Sequence, residues 1–488
     1  VIEKQDRLRV LLEVVPSKSL LAAVDADDDL AGNPHAAQAL SQAGMEVDPS
    51  WPALELGPPR TAVGSLEAVV AGRPRLRRIA DGVNLVGDVV NRVGDALPFV
   101  DAQVPPWTPE RRTMLFRALL PPDERAALRA LSVADEQTRI FGVFNDPAVA
   151  IAHRRLSTEP FGTVEQVEAL MSCAWLHEHS FTGEGVSVAV VDSGINLDYL
   201  AGRGRRHVLD AGLSHVPKWA DHEPGQFPVG HGTLAAFQVG IAAPDATLLD
   251  HAVLGRSYED DDEPLIKAWL SDIEPGYVAL HRYLSEQEPS ERRLVVTNSW
   301  AMIDPDWDFP TAHIENFSDN ARHPFNRMVR ALVRAGADVL FAAGNCGRED
   351  PVRWCGFTSQ PICGANSMPD VITVAAVDVD GVRLGYSSQG PGRIDGGFEK
   401  PDLSGYSHYH GSGVEPADWG TSTACPGVAG VVAAVRSRYS AAELPPLELK
   451  QLVLRSARGA ADGHNPDTGY GVIDPRALLE ELLRAEAA

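Results

Sequence analysis

The chain has 488 residues, 44% of them hydrophobic and 23% charged, with a formal net charge of −24. That length allows about two to four domains, and a core of this size needs neither disulfides nor metals as staples. The acidity repels nucleic-acid phosphates and anionic lipid surfaces, so neither is a default partner, and no apolar run approaches the ~18–20 residues that span a bilayer.

The opening stretch "VIEKQDRLRVLLEVV" carries charges through any would-be apolar segment and does not read as a secretion signal. Read as it stands, the chain leans towards the cytoplasm, although its first residue, Val1, leaves room for a trimmed leader. Within the first 150 residues, "RLRVLLEVV" reads as a strand, and "HAAQALSQAG" (His35 to Gly44) as a helix closed by glycine. "WPALELG" and "RTMLFRALL" read as strands, "PPDERAALRAL" as a helix opened by proline and acids, and "TRIFGVFNDP" as a strand stopped at Asp146-Pro147. Two strand–helix–strand halves predict a ferredoxin-like α+β domain over 1–150, with an insertion at about 61–106 that has no functional reading.

A linker is expected over 151–162, and from 163 to 488 the pattern changes. "GVSVAVVDSG", "RRLVVTNSW", "ADVLFAAGN" and "DVITVAAVD" are continuous apolar runs, as in strands buried on both faces. Helical stretches such as "NRMVRALVRAG" lie between them, and "LELKQLVLRSA" and "PRALLEELLRAE" are amphipathic helices near the end. The alternation predicts an α/β domain with a doubly wound, mostly parallel sheet and its site at the carboxyl ends of the strands. Five cysteines occur, at 173, 346, 355, 363 and 425, with no Cys-x-x-Cys knuckle for zinc. Cys346, Cys355 and Cys363 are compatible with one disulfide in an oxidising compartment or with free thiols inside the cell.

Three strand ends or helix starts carry reactive groups. Asp192 closes "VAVVDSG", His231 sits in "GHGTLAAFQVG", and Ser422 sits in "GTSTACPGVAG" at a helix start. An imidazole can take the proton of a hydroxyl, and a carboxylate can fix the imidazole's tautomer and steady its charge. A helix amino terminus adds free N–H groups where an oxyanion develops. Singly, each residue also reads as a turn, a loop or an N-cap.

Together with their flanks, the motifs "VAVVDSGI", "GHGT", "FAAGNCG" and "GTSTACPGVAG" resemble those of the subtilisin-like serine peptidases, the subtilases, over about Thr163 to Ala477. The resemblance implies a serine endopeptidase acting on protein or peptide substrates, with Asp192, His231 and Ser422 as triad and Asn345 as oxyanion donor. It places the substrate strand along Ser299, Trp300 and Ala301, with Ala343 and Gly344 across the cleft, and needs no cofactor. It further implies that the N-terminal domain is an intramolecular inhibitor and folding aid whose tail, Pro147 to Arg155, lies near the site; the alternative is a permanent accessory domain that only covers one face. The sequence departs from the family pattern at Leu234, Thr423, Cys425 and Gly427, none of which removes a triad atom. The chain after the His231 helix is too short for the family's calcium loop, so no metal is expected there. The acidic run Glu259 to Glu263 could favour basic residues before the cleaved bond, or be a solvated loop. An α/β-hydrolase esterase would need a Gly-x-Ser-x-Gly elbow and the order Ser, acid, His, which this chain lacks. A non-catalytic binding protein on the same scaffold would be signalled by a lost triad residue, and none is lost.

Overall fold

The computed structural model describes residues 8–15, 46–47, 54–56, 113–120, 139–152, 159–257, 265–311, 313, 315–394 and 397–487. The helices expected at 35–44 and 121–131, the insertion at 61–106 and the acidic run 259–263 lie outside them. The first sheet contains β1 (Leu8–Val15), β2 (Glu46–Val47), β3 (Leu54–Leu56), β4 (Thr113–Leu120) and β5 (Arg139–Asn145). Its order is β2-β4-β1-β5, with β3 also on β4, and every pairing is antiparallel. A first strand at the centre, flanked by the third arm and the last, is the ferredoxin-like order. Asp146-Pro147 interrupts the chain for only two residues, because β6 (Ala148–Ala152) resumes at once. The expected linker at 151–162 therefore begins inside a strand.

The large sheet is built from β7 (Ser187–Asp192), β8 (Thr247–Ala252), β11 (Leu294–Asn298), β12 (Ala337–Ala342), β13 (Ile372–Val377) and β14 (Leu403–Tyr406). Between β8 and β11 in sequence come β9 (Arg256–Ser257) and β10 (Leu265–Trp269), which form a separate small sheet with β6. The six strands run in the order β14-β13-β12-β11-β7-β8, all parallel, as the apolar runs predict. From β7 the chain turns to β8 on one side, whereas from β11 it proceeds to β12 on the other. Connections that diverge from neighbouring strand ends open a crevice between β7 and β11, where a parallel sheet binds ligands.

The helices are α1 (Val164–Leu170), α2 (Cys173–Glu178), α3 (Leu197–Gly202), α4 (His231–Ala242), α5 (Leu270–Glu286), α6 (Pro324–Ala335), α7 (Thr421–Arg436), α8 (Pro446–Ser456) and α9 (Pro475–Ala487). Val188 and Val190 of β7 pack into a core with α4 and α7, and Ala189 and Val191 pack into a second core with α5 and α6. Alternate residues of one strand thus serve two layers, which is why the run is apolar throughout. Every residue of α7 is buried. A Cβ on Gly430 would stand 2.5 Å from the carbonyl oxygen of Val239, so glycine lets α7 and α4 meet backbone to backbone.

The N-terminal sheet packs Leu11, Leu54, Leu115 and Phe144 against the core of α5 and α6. Charged groups rim this contact. Asp146 accepts from Ser271 N at 2.9 Å and Ser271 Oγ at 2.8 Å, capping α5 from another part of the chain, and also from Arg9 Nε at 3.0 Å. Arg117 reaches Asp272 at 2.9 Å and Arg327 of α6 reaches Glu13 of β1 at 2.5 Å. Glu274, on the same end of α5, is fully buried, and among the described residues neither carboxyl oxygen has a hydrogen-bond partner.

Candidate active site

Asp192 is the last residue of β7, and His231 is the first of α4. The imidazole Nδ1 lies 2.9 Å from each carboxyl oxygen, and Asp192 Oδ1 also accepts from Ser193 N at 2.6 Å. A carboxylate accepts only, so Nδ1 carries the proton and Nε2 keeps its lone pair for the pocket. Ser193 Oγ accepts from Gly232 N at 3.0 Å, tying the turn after β7 to the first turn of α4.

Ser422 is the second residue of α7. Gly420 precedes the helix with φ 85°, and a Cβ there would stand 3.1 Å from Asn345 Nδ2, so both conformation and space call for glycine. Pro426 has no N–H, so the carbonyl of Ser422 loses the donor an ordinary helix would give it. Ser299, just past β11, supplies one: its Oγ donates to Ser422 O at 3.2 Å, while Ser422 Oγ donates to Ser299 O at 3.1 Å. The first turn of α7 and the segment just past β11 are tied in both directions. Asn345 Oδ1 accepts from Thr421 N at 3.0 Å and Thr421 Oγ1 at 3.1 Å, which leaves its amino group as the half free to serve the pocket. His231, Asn345 and Ser422 line one pocket with Leu234, Val414, Glu415 and Trp419.

The other site residues expected from sequence divide by role. Ala301 pairs with Ala150 of β6, exchanging backbone hydrogen bonds of 2.9 and 3.1 Å. With β10 on its other edge, β6 lies as a strand between the two walls of the cleft. Trp300 contributes backbone to that wall, but its indole is 1% exposed and packs in the core against Phe325 and Phe341. Gly344 stands beside Ala301, 3.5 Å from it by the Cβ a side chain would need, and Ala343 is buried and donates to Val374 O at 2.9 Å. Cys346, next to Asn345, pairs with Cys355, which resolves the open choice among three cysteines; Cys363 is a buried free thiol. Cys425, one turn after Ser422, is also buried, and burial pushes its thiol up to about 12, so it stays protonated and is no rival nucleophile. Among the described residues no group of three or more His, Cys, Asp or Glu side chains could hold a metal ion, and no helix is long and apolar enough to cross a membrane.

Sequence reading missed Val414, Glu415 and Trp419. They lie in the irregular segment "GSGVEPADW", where no periodicity marks which side chains turn inward.

The family model described as the subtilase family matches residues 183–472. Subtilisin E of Bacillus subtilis (strain 168) is 28% identical over 312 residues, covering 60% of this chain and 67% of its own length. A thermostable alkaline protease of Halalkalibacterium halodurans is 27% identical over 306 residues, covering 60% of this chain and 68% of its own. Among solved structures, the MycP3 protease from the type VII (ESX-3) secretion system aligns with a TM-score of 0.44 and 19% identity, over 69% of this chain and 92% of that one.

Proposed function

We propose, from the premise that the chain belongs to the subtilase family and is a serine endopeptidase, that Ser422 is its nucleophile, His231 its general base and acid, and Asp192 the group that orients the imidazole. The observation that carries this reading is the 2.9 Å contact of Asp192 with His231 Nδ1 behind a pocket that His231 shares with Ser422. Ser422 Oγ adds to the peptide carbonyl as its proton passes to His231 Nε2. The C–N bond then breaks and that proton leaves with the amine. Water repeats both transfers on the acyl-enzyme, frees the acid and restores the serine. Asn345 Nδ2 and the Ser422 N–H, at the amino terminus of α7, hold the oxyanion. A fluorophosphonate probe should label the wild-type chain and not Ser422→Ala, alongside hydrolysis of casein; an unlabelled wild type sinks the assignment.

Replacing Asn345 by alanine should lower turnover by ~2.7–4 kcal/mol of transition-state stabilisation, roughly 10²–10³-fold, with little change in KM. A change confined to KM would contradict the role.

The residues before the cleft, 1–152, act in this reading as an intramolecular inhibitor, with β6 held where the acyl half of a substrate would lie. The supporting observation is the Ala150–Ala301 pairing in the cleft, together with a sheet docked on α5 and α6. Purified wild type should then be cut after β6 while Ser422→Ala stays whole. A full-length wild type that degrades substrate freely would leave the domain a mere accessory.

Docking should also depend on pH. Burial, aided by Asp146 and Asp272 and opposed by Arg117 and Arg327, holds the Glu274 carboxyl well above its ordinary 4.5. Departure of the sheet would hydrate it and return it to that range, so docking takes up a proton and weakens as pH rises from 4.5 through the raised value. His323, whose Nε2 is 2.8 Å from Asn145 O, opposes this: burial lowers it from 6.5 to about 4, so its docking releases a proton as pH falls through that window. Above 6.5 the opposing His323 effect is gone. The Kd of the cleaved N-terminal segment should therefore rise with pH wherever the Glu274 effect is unopposed, by no more than about tenfold per pH unit. Glu274→Gln should flatten that slope, and a slope unchanged by the substitution would refute it.

A further inference from the structure

The register of β6 identifies the bond presented to Ser422. Ala150 pairs antiparallel with Ala301, so Ala152, two residues on, falls opposite Ser299. Ser299 is the residue joined to Ser422 by two hydrogen bonds, of 3.1 and 3.2 Å. The acyl half of a peptide lying along this wall therefore ends at the residue opposite Ser299, and the departing amine begins with the next. In this chain that bond is Ala152–His153.

Beyond Ser422 and His231 the pocket is bordered by Val414, Glu415 and Trp419. None of its lining residues belongs to β10 or to the Ser299–Ala301 wall, which serve the acyl half. His231, which must hand its proton to the departing amine, stands at the junction. On that geometry Val414 and Glu415 border the leaving-group side, while Trp419 also packs against the cluster of Ala150 and Ala301 that serves the acyl half. Glu415 is half-buried there and supplies the one carboxylate among the described residues lining the pocket, beside the indole of Trp419. A carboxylate with restricted access to water attracts a guanidinium or ammonium more than an exposed one does, and an adjacent indole face adds a cation–π contribution. The chain's own sequence after Ala152 reads His153-Arg154-Arg155, of complementary charge.

We propose that Glu415 selects cationic residues at the first two positions after the cleaved bond, and that Ala152–His153 is the first bond the enzyme cuts under this rule. The proposal rests on the reading of Ser422 as nucleophile. It concerns recognition of the leaving group and adds no chemical step.

The test uses the full-length chain after its own processing, with rates divided by the fraction of Ser422 that a fluorophosphonate labels. Internally quenched peptides share one acyl half ending in Ala-Ile-Ala and carry Arg-Arg, Ala-Ala or Glu-Glu directly after it. Wild type should cleave the Arg-Arg peptide with a kcat/KM about fivefold or more above that of the Ala-Ala peptide. Glu415→Gln should bring that ratio towards one, and Glu415→Arg should invert it in favour of Glu-Glu. A wild-type ratio of one, or a ratio that Glu415→Arg leaves unchanged, overturns the proposal while peptide cleavage upholds the peptidase reading. Absence of both label and cleavage defeats that reading and the proposal with it. A product of the intact chain whose first residue is other than His153 overturns the assignment of the cut.

Discussion

Ser422→Ala should yield a protein that folds, remains at full length and hydrolyses casein roughly a millionfold more slowly than wild type, since triad residues act as a unit. The fold should survive because the lost hydroxyl makes one hydrogen bond, to Ser299 O at 3.1 Å, worth about 1 kcal/mol. The reverse bond, from Ser299 Oγ to the backbone carbonyl of Ser422, does not involve the deleted atom. The chemistry should not survive, because buried Cys425 presents no thiolate and the described pocket lining offers no other hydroxyl or thiol. Casein digestion, circular dichroism and intact mass together make the check. Activity within tenfold of wild type would remove Ser422 from the mechanism, whereas a variant lacking native circular dichroism would show that the hydroxyl is needed for folding instead.

The second large effect concerns stability. Arg436 ends α7 fully buried, with Nε and Nη2 on the two oxygens of Asp338 in β12 at 2.5 and 2.8 Å, and Nη1 on Leu444 O at 2.6 Å. This two-pronged pair joins the carboxyl end of the helix that carries Ser422 to the middle of the sheet. Arg436→Met would leave the Asp338 carboxylate buried at 2% exposure with no counter-charge, a loss of about 3–5 kcal/mol. For a domain of this size that corresponds to a fall in Tm of about 10 °C. The melt is best measured on the Ser422→Ala background, where self-digestion is removed. Adding Asp338→Leu should recover much of the loss, because an apolar pair avoids the desolvation of both ions. A single variant that melts within 2–3 °C of its parent would mean that water or another group compensates Asp338.

The strands of continuous Val, Leu and Ala were legible in the sequence because both their faces are buried, which is the mark of a parallel sheet covered by helices on both sides. Other elements were hidden for identifiable reasons. β8 carries Asp250 and His251 in its middle; both are buried, with Asp250 accepting from Ile195 N and Gly225 N, and single-sequence reading treats such polar residues as breaks. The long helix α5 contains Pro275 and Gly276, which local propensity assigns to a turn. β6 follows an Asp-Pro pair that ordinarily ends a strand, and it forms because the two walls of the cleft supply its partners. Motif residues Asp192, His231, Asn345 and Ser422 could be singled out because each sits at or just past a strand end, or at a helix start, inside a short motif that resembles the subtilase pattern. Glu415 could not, because its position depends on how an irregular loop closes over the pocket.

Pro426 weakens α7 taken alone, since it removes one internal hydrogen bond from the helix, the one to the carbonyl of Ser422. The vacated carbonyl is the one that Ser299 grips. A change that repaired the helix by restoring an N–H at 426 would set that N–H in competition with the Ser299 hydroxyl. The helix would gain internal strength while Ser422 and Ser299 were left joined by the Ser422 Oγ bond to Ser299 O alone. Robustness of the element and fidelity of its aim are thus opposed at this one backbone oxygen, and the sequence has settled the conflict in favour of aim.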